Sequence, residues 1–417
     1  MKTIGIIAEF NPFHSGHKYL IDKCRRDLGA DRVVVVMSGD FVQRGAPAIT
    51  DKFSRARMAL NSGADVVFEL PVYYSLGSAE YFAEGAISVL NRLSCIDYLC
   101  FGSEDADIDR MIQIADILQR EPAIYKEVLT LSLREGLPYP AASSKALNAA
   151  LKQENPSEEY RDYSRLLSSP NSILAIEYLK CLMRTHSVMT PVAVQRIGQP
   201  YHSLSQDSVP SASAIRAHIL SGSPLYIKNN APELLKNMIP DSAISEIEHY
   251  CGLFLNTNDF TSLIHYKLIS EKNTGYVKYQ DVSRDLSNKI VRNLENYESA
   301  SGFCSLLKSK DIVYSRISRC LMHILLNITR ENMAEYKGGG YTAYARVLGL
   351  KESSSDLLRL IKDSSDIPVF ERLSGADKLL SPLQMRLLNE TLTASSIYNF
   401  ISQNGITSEY RRPPLIV

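Results

Sequence analysis

Neither an excess of charge of one sign nor a long hydrophobic run occurs in this chain. Its 417 residues carry 46 lysines and arginines against 46 aspartates and glutamates, so the formal net charge is zero. A nucleic-acid partner would therefore have to bind a local basic patch, because no global basic field exists. No apolar stretch approaches the roughly 20 residues of a membrane-spanning helix, and no secretory segment precedes the first predicted strand. We expect a cytoplasmic protein that does not bind a membrane.

Paired cysteines are absent as well. The seven cysteines are scattered along the chain, and no two of them have C-x-x-C spacing. An odd, scattered set is typical of reduced thiols and predicts neither a zinc site nor a disulfide framework. With 45% hydrophobic and 22% charged residues, the composition is that of an ordinary folded protein rather than a disordered one.

Short apolar runs alternate with helical patterns in the first part of the chain. The sequence predicts strands at 3–8, 32–39, 65–70 and 96–102, helices at 17–29, 52–63 and 77–93 between them, then helices at 171–184 and 211–222 around a strand at 188–197. Such an order is typical of an α/β fold with a Rossmann-like parallel sheet covered by helices on both faces.

After about residue 225 the pattern shows no convincing strand–helix alternation. We therefore predict an α/β domain at 1–222 and a mainly α-helical C-terminal domain at 223–417. Within the second, residues 305–351 carry eight Lys/Arg and three Asp/Glu, with Tyr314, Tyr336, Tyr341 and Tyr344 interleaved. This segment either contacts RNA phosphates and stacks a base or forms a solvated helix face.

The segment "EFNPFHSGH" lies between the first predicted strand and the first predicted helix. Ligands of open parallel sheets bind at the carboxyl ends of the strands, and a helix N-terminus there attracts phosphate. Gly16 lets a phosphate approach the backbone, and His14 and His17 can aim N–H groups at the same volume. The pattern indicates a polyphosphate site. The alternatives are surface histidines, or a metal site, for which no third ligand lies at suitable spacing.

These residues carry a resemblance to a known family. "HSGH" resembles the HxGH signature of the HIGH-type nucleotidyltransferase superfamily. A wider set resembles the bacterial tRNA(Met) cytidine acetate ligase family: "GIIAEFNPFHSGHKYLI", "VVVMSGDFVQRGAPAITDKFSRARMAL", "GADVVFELP", "SAEYFAEGAI", "FGSE", "SPNSILAIEYL" and "RVLGL". The resemblance runs along the whole chain and is densest over residues 1–220.

The resemblance implies an activity and a set of ATP contacts. Family members use ATP and acetate to form acetyl-adenylate, and then acetylate N4 of the wobble cytidine of elongator tRNA(Met). The implied ATP-binding residues are Ile7, Ala8, Glu9, Phe10, Asn11, Pro12, Phe13, His14, Ser15, Gly16, His17, Lys18, Tyr19, Leu20, Gly102, Asn171 and Arg196. For the last three, the alternative interpretations are a turn glycine, a helix cap and a surface arginine.

Two further motifs are candidates for the same site. "SASAIR" resembles the second superfamily signature, so Ser211, Ser213 and Arg216 are possible phosphate contacts; a serine N-cap with an exposed arginine is the alternative. Asp40 follows the second predicted strand and either positions a reactant or caps a turn. We predict His14, His17 and Asp40 as the catalytic residues.

The chemistry requires donors and positive charge around phosphates rather than a covalent nucleophile. No Gly-x-Ser-x-Gly or Cys/His pattern suggests an acyl-enzyme, and no KMSKS-like motif suggests an ordinary aminoacyl-tRNA synthetase. Magnesium is expected as a helper for the polyphosphate, although the sequence identifies no ligands for it. The alternatives are a small-molecule adenylyl- or cytidylyltransferase, which leaves the long helical region unexplained, and a non-catalytic ATP-binding RNA module.

Overall fold

The computed structural model describes residues 1–196, 210–309, 312–406 and 408–417. The strands are β1 (Thr3–Ala8), β2 (Arg32–Ser38), β3 (Phe41–Val42), β4 (Ala46–Pro47), β5 (Val66–Leu70), β6 (Tyr98–Ser103), β7 (Thr190–Gln195), β8 (Ala345–Leu350), β9 (Val369–Phe370) and β10 (Leu415–Ile416). The helices up to residue 222 are α1 (Ser15–Arg26), α2 (Lys52–Asn61), α3 (Val72–Ser75), α4 (Ala79–Arg92), α5 (Ile108–Arg120), α6 (Ala123–Arg134), α7 (Tyr139–Glu154), α8 (Ser164–Ser168), α9 (Pro170–Arg184) and α10 (Ala212–Leu220).

Helices predominate in the second part of the chain. They are α11 (Pro224–Leu234), α12 (Asp241–Glu248), α13 (Thr261–Ser270), α14 (Arg284–Asn293), α15 (Ala300–Leu307), α16 (Tyr314–Leu325), α17 (Arg330–Gly338), α18 (Ser355–Ser364), α19 (Ala376–Leu379) and α20 (Pro382–Ser402), with 3₁₀ turns at Thr257–Phe260, Leu294–Asn296, Glu352–Ser354 and Glu409–Arg411. None of the helices in the four described ranges is long and apolar enough to cross a membrane.

One sheet organises the molecule. In the described part of the chain it has eight strands in the order β10-β8-β5-β2-β1-β6-β7, with β9 added beside β8. Within the run β5-β2-β1-β6-β7, every pair of neighbouring strands is parallel. The prediction of a Rossmann-like parallel sheet with flanking helices is therefore confirmed.

The run "RVVVVMS" explains why β2 lies in the middle of this sheet. Val34 and Val36 pack into the hydrophobic cluster on one face, and Val33 and Val35 pack into the cluster on the other. Alternate side chains of a strand point to opposite faces, so a strand covered by helices on both sides needs apolar residues at every position.

The second part of the chain also contributes strands, which the sequence did not predict. β8 pairs antiparallel with β5, and β10 and β9 pair parallel with β8. β8 is the six-residue segment "ARVLGL", which carries one arginine and lies among helical patterns, and its partner β5 lies far away in the sequence. Periodicity alone does not distinguish such a run from a buried helix segment. The domain boundary near residue 222 stays a prediction, although the sheet contains strands from both sides of it.

Candidate active site

The carboxyl end of β1 lies where the strand order reverses. From β1 the chain proceeds to β2 and β5 on one side, and later places β6 and β7 on the other. Open α/β sheets bind ligands in the crevice at such a switch point. The segment "EFNPFHSGH" connects β1 to α1 at this position, as predicted.

His14 and His17 form the first turn of α1 as a reciprocal cap. The Nδ1 atom of His14 accepts the N–H of Gly16 at 3.0 Å, and the Nδ1 atom of His17 accepts the N–H of His14 at 3.2 Å. The two rings stack with their centroids 3.8 Å apart. A histidine pair here therefore does the capping that Ser/Thr and Glu/Gln do in the usual capping box.

This geometry assigns the tautomer of both rings. Because each Nδ1 accepts a hydrogen bond, each neutral ring carries its proton on Nε2 and can donate it to a ligand. Burial, together with the nearby charges of Arg196 and Arg216, lowers the pKa of His14 to about 3. Burial and His14 lower the pKa of His17 well below its ordinary value. At neutral pH the pair is thus two uncharged N–H donors.

Arg216 ties the second signature to the first loop. One nitrogen of its guanidinium donates to the carbonyl oxygen of Asn11 at 2.6 Å, and another to the hydroxyl oxygen of Ser213 at 3.0 Å. Ser211 is the N-cap of α10 and accepts the N–H of Ala214. The serine cap named as the alternative is therefore present, and the charge of Arg216 nevertheless acts on His14, whose pKa it lowers.

Gly102 and Arg196 lie beside each other at the ends of β6 and β7. Gly102 pairs with Val194, and a Cβ on Gly102 would stand 3.3 Å from Cγ of Arg196. Arg196 is exposed and lowers the pKa of both histidines. Arg196 and Arg216 thus lie close enough to His14 for their positive charges to lower its pKa, and Arg196 does the same to His17.

Asn171 lies in the first turn of α9, whose N-cap is Ser169. Its side-chain amide donates to Glu104 at 2.7 Å, and Glu104 also accepts the N–H and the hydroxyl of Ser172 at 3.2 and 3.0 Å. A carboxylate at a helix N-terminus is stabilised by the helix dipole. Glu104, which ends the quoted "FGSE", is not among the predicted site residues, and the structure places it in contact with Asn171.

The other predicted ATP-binding residues lie in β1, in the loop after it and in α1. Phe10 and Phe13 are buried and pack against each other and against the ring of His17. Lys18 forms an ion pair with Asp22 along α1. The remaining residues are Ile7 and Ala8 in β1, Glu9, Asn11 and Pro12 in the loop, and Ser15, Gly16, Tyr19 and Leu20 in α1.

Asp40 is buried and contacts Lys52 at the start of α2. Its Oδ1 atom accepts the N–H of Lys52 at 2.8 Å, and its Oδ2 atom is 3.8 Å from Nζ of Lys52. Burial raises the pKa of Asp40 to about 6, and Lys52 opposes this shift. The Asp40 side chain thus contacts the start of α2, whose N-cap is Asp51, rather than the turn that follows it. A catalytic role for Asp40 stays a prediction.

The basic segment 305–351 does not form one surface. Tyr336 and Tyr344 are buried in the core, and Arg346 forms buried ion pairs with Glu69 and Glu409 at 2.7 and 2.6 Å. Neither of the two alternatives, an RNA-contacting surface or a solvated helix face, fits these three buried residues. RNA contact by other residues of the segment stays a prediction. The described residues also contain no group of three or more His, Cys, Asp or Glu side chains placed to hold a metal ion.

Comparisons with known proteins agree with the geometry. Residues 1–412 match the family described as HIGH Nucleotidyl Transferase. Proteins named tRNA(Met) cytidine acetate ligase from Clostridium perfringens and Clostridium tetani are 36% and 37% identical over 419 and 420 residues, with 100% of each chain covered. The crystal structure of Thermotoga maritima TmcAL bound with alpha-thio ATP has a TM-score of 0.87 at 25% identity, again with full coverage of both chains. The chain therefore belongs to the HIGH nucleotidyl transferase family and, within it, to the family of the tRNA(Met) cytidine acetate ligases.

Proposed function

We propose that this protein is an ATP-dependent ligase that acetylates N4 of the wobble cytidine of elongator tRNA(Met). The observation that carries the proposal is the pair of neutral histidine donors beside two arginines, in a chain 36–37% identical over its full length to proteins with this name. The ATP analogue in the Thermotoga maritima structure supports ATP as the nucleotide.

The reaction needs two transfers. An acetate oxygen bonds to the α-phosphorus of ATP while the bond from that phosphorus to the diphosphate oxygen breaks. The N4 amine of cytidine then attacks the acetyl carbonyl carbon, AMP leaves with the bonding electron pair, and one N4 proton is released. The Nε2–H groups of His14 and His17 stabilise the charge that builds on the phosphoryl oxygens.

The remaining predicted residues have roles that follow from their positions. Arg196 and Arg216 carry the positive charge that the diphosphate requires, with Ser211 and Ser213 at the start of α10. Gly102 leaves room beside Arg196 for the nucleotide, and Asn171 lies at the N-terminus of α9. Asp40 is assigned to the amine, because its buried Oδ2 atom accepts no hydrogen bond from the described residues and has Nζ of Lys52 3.8 Å away.

Magnesium remains part of the proposal. The ion usually takes only one or two protein carboxylates and completes its coordination with substrate phosphates and water. Its ligands here would therefore come mainly from ATP.

Product analysis tests the function. The protein is incubated with ATP, magnesium, labelled acetate and an elongator tRNA(Met) transcript, and the digested RNA is searched for N4-acetylcytidine. We expect His17→Ala to lower the rate by about 10²–10³-fold through loss of one donor. The matched control is His186→Ala, which removes an exposed histidine near the opposite, amino-terminal end of β7. Turnover of ATP without labelled RNA would favour a small-molecule nucleotidyltransferase instead.

A further inference from the structure

A fully buried arginine lies behind the crevice and is not among the predicted site residues. The guanidinium of Arg55 in α2 donates to four backbone carbonyl oxygens. Nε donates to Thr50 at 3.1 Å, Nη1 donates to Glu9 and Ser38 at 2.6 and 3.0 Å, and Nη2 donates to Gly39. No carboxylate of the described residues forms an ion pair with it.

The guanidinium occupies the point where two central strands separate. β1 and β2 pair in register as far as Ala8 and Met37. The next residues along the two strands are Glu9 and Ser38, and Nη1 of Arg55 bonds both of their carbonyl oxygens. The planar fork of arginine thus binds carbonyl groups just beyond the last residue pair of β1 and β2.

Both loops that leave this point lead to predicted catalytic residues. After Glu9 the chain turns sharply at Phe10, which has a φ of 48°, and reaches His14. After Ser38 and Gly39 the other loop begins with Asp40. A second contact joins the loops, because the side chain of Glu9 accepts the N–H of Gln43 at 2.8 Å.

We propose that Arg55 is a positioning residue for the ligase reaction. Its guanidinium fixes the start of the loop that leads to His14 relative to the start of the loop that leads to Asp40. The inference rests on the proposed function. Arg55 touches no reacting atom and acts through Glu9, Ser38 and Gly39. A displacement of about 1 Å at reacting groups can cost 10²-fold in rate, so a less exact tie between the loops lowers kcat more than it lowers substrate binding.

The test compares two Arg→Lys variants. Lysine has one ammonium group and no planar fork, so it cannot reach all four carbonyl oxygens. The matched control is Arg25→Lys, because Arg25 donates to the carbonyl oxygens of Ala30, Asp31 and Gly63 and to Asp65 at the opposite, amino-terminal edge of the sheet.

We expect Arg55→Lys to lower kcat for tRNA acetylation about 10²-fold, with the KM for ATP changed only a few-fold. Arg25→Lys should keep a kcat close to that of the unmodified protein even where its melting temperature falls equally. Hydrogen exchange adds a readout that does not depend on activity. Peptides covering 9–20 and 38–47 should exchange faster in Arg55→Lys and stay unchanged in Arg25→Lys.

Several outcomes would overturn the inference. It is wrong if both variants keep the same kcat, or if exchange rises uniformly over the chain. If Arg55→Lys does not fold, Arg55→Gln replaces it; failure of both to fold makes Arg55 a residue required for folding only. If the unmodified protein makes no acetylcytidine, the proposed function fails separately, and hydrogen exchange still decides whether Arg55 positions the two loops.

Discussion

His14 and His17 differ from ordinary titrating histidines because their Nδ1 atoms already accept backbone N–H groups. That arrangement commits both rings to donating from Nε2. The low pKa of each ring keeps it uncharged at the pH at which ATP is fully ionised. In the proposed reaction we therefore predict that the pair donates hydrogen bonds and does not act as a general acid.

The depressed pKa of His14 makes a prediction about stability. Its pKa in the folded chain, about 3, lies below the ordinary value of 6.5. Between these two pH values the unfolded chain therefore binds a proton at His14 that the folded chain does not bind. The contribution of neutral His14 to the free energy of unfolding is complete above pH 6.5 and is lost as the pH falls towards 3. Between pH 7.5 and pH 5 we expect His14 to account for a loss of about 2 kcal/mol in the free energy of unfolding.

Urea unfolding of His14→Asn at the two pH values measures this contribution. Asparagine is a good N-cap and can accept the N–H of Gly16, so the variant keeps the cap and removes the titrating group. Its stability should fall less steeply with acid than that of the unmodified protein. Equal slopes for the two proteins would show that His14 titrates normally in the folded state.

Among the short elements, the hairpin β3–β4 links the crevice to the helical region. Gly45 in its turn has a φ of 77°, and a Cβ there would stand 2.2 Å from the backbone nitrogen of Arg319 in α16. The hydroxyl of Ser318 donates to the carbonyl oxygen of Gly45 at 2.6 Å. Only glycine allows this approach. The backbone N–H of Gln43, in the same turn, donates a hydrogen bond to the side chain of Glu9.

We predict that Gly45→Ala destabilises the protein and lowers activity. The matched control is Gly29→Ala, since Gly29 also has a positive φ of 65° but nothing within 4 Å of the added Cβ. The Gly29→Ala control should lower the free energy of unfolding by about 1–2 kcal/mol, because alanine is strained in the left-handed region. Gly45→Ala should cost about 1–3 kcal/mol more, because α16 must move. Thermal melts of the two variants measure the difference, and equal losses would contradict the contact.

At the scale of the whole molecule, the two halves of the chain share one sheet and one buried ion cluster. The cluster consists of Lys52, Glu69, Arg346 and Glu409, with Nζ of Lys52 2.5 Å from Glu69 and 2.9 Å from Glu409. Removing one partner of a buried ion pair leaves an uncompensated charge and costs about 3–5 kcal/mol. The C-terminal part is therefore part of the core around the crevice.

This arrangement predicts that residues 1–222 do not fold alone. The fragment would expose β5, which is buried along its whole length, and would leave Lys52 and Glu69 without Arg346 and Glu409. Circular dichroism should show no cooperative melt for the fragment, and mixing with a 223–417 fragment should restore one. A cooperative transition of residues 1–222 by themselves would establish the first predicted domain as independent.

Local patterns determined much of what can be said about this protein. The β-α-β order, the switch-point position of "HSGH" and the family followed from residues close together in the chain, because periodicity, caps and motifs are short-range. The tertiary structure decided the rest: the strands β8 to β10, the burial of Tyr336 and Tyr344, and the carbonyl partners of Arg55. Those features depend on groups brought together from distant positions. A lysine or arginine in the sequence has the same appearance whether it will be solvated, paired with a carboxylate or placed between two diverging strands.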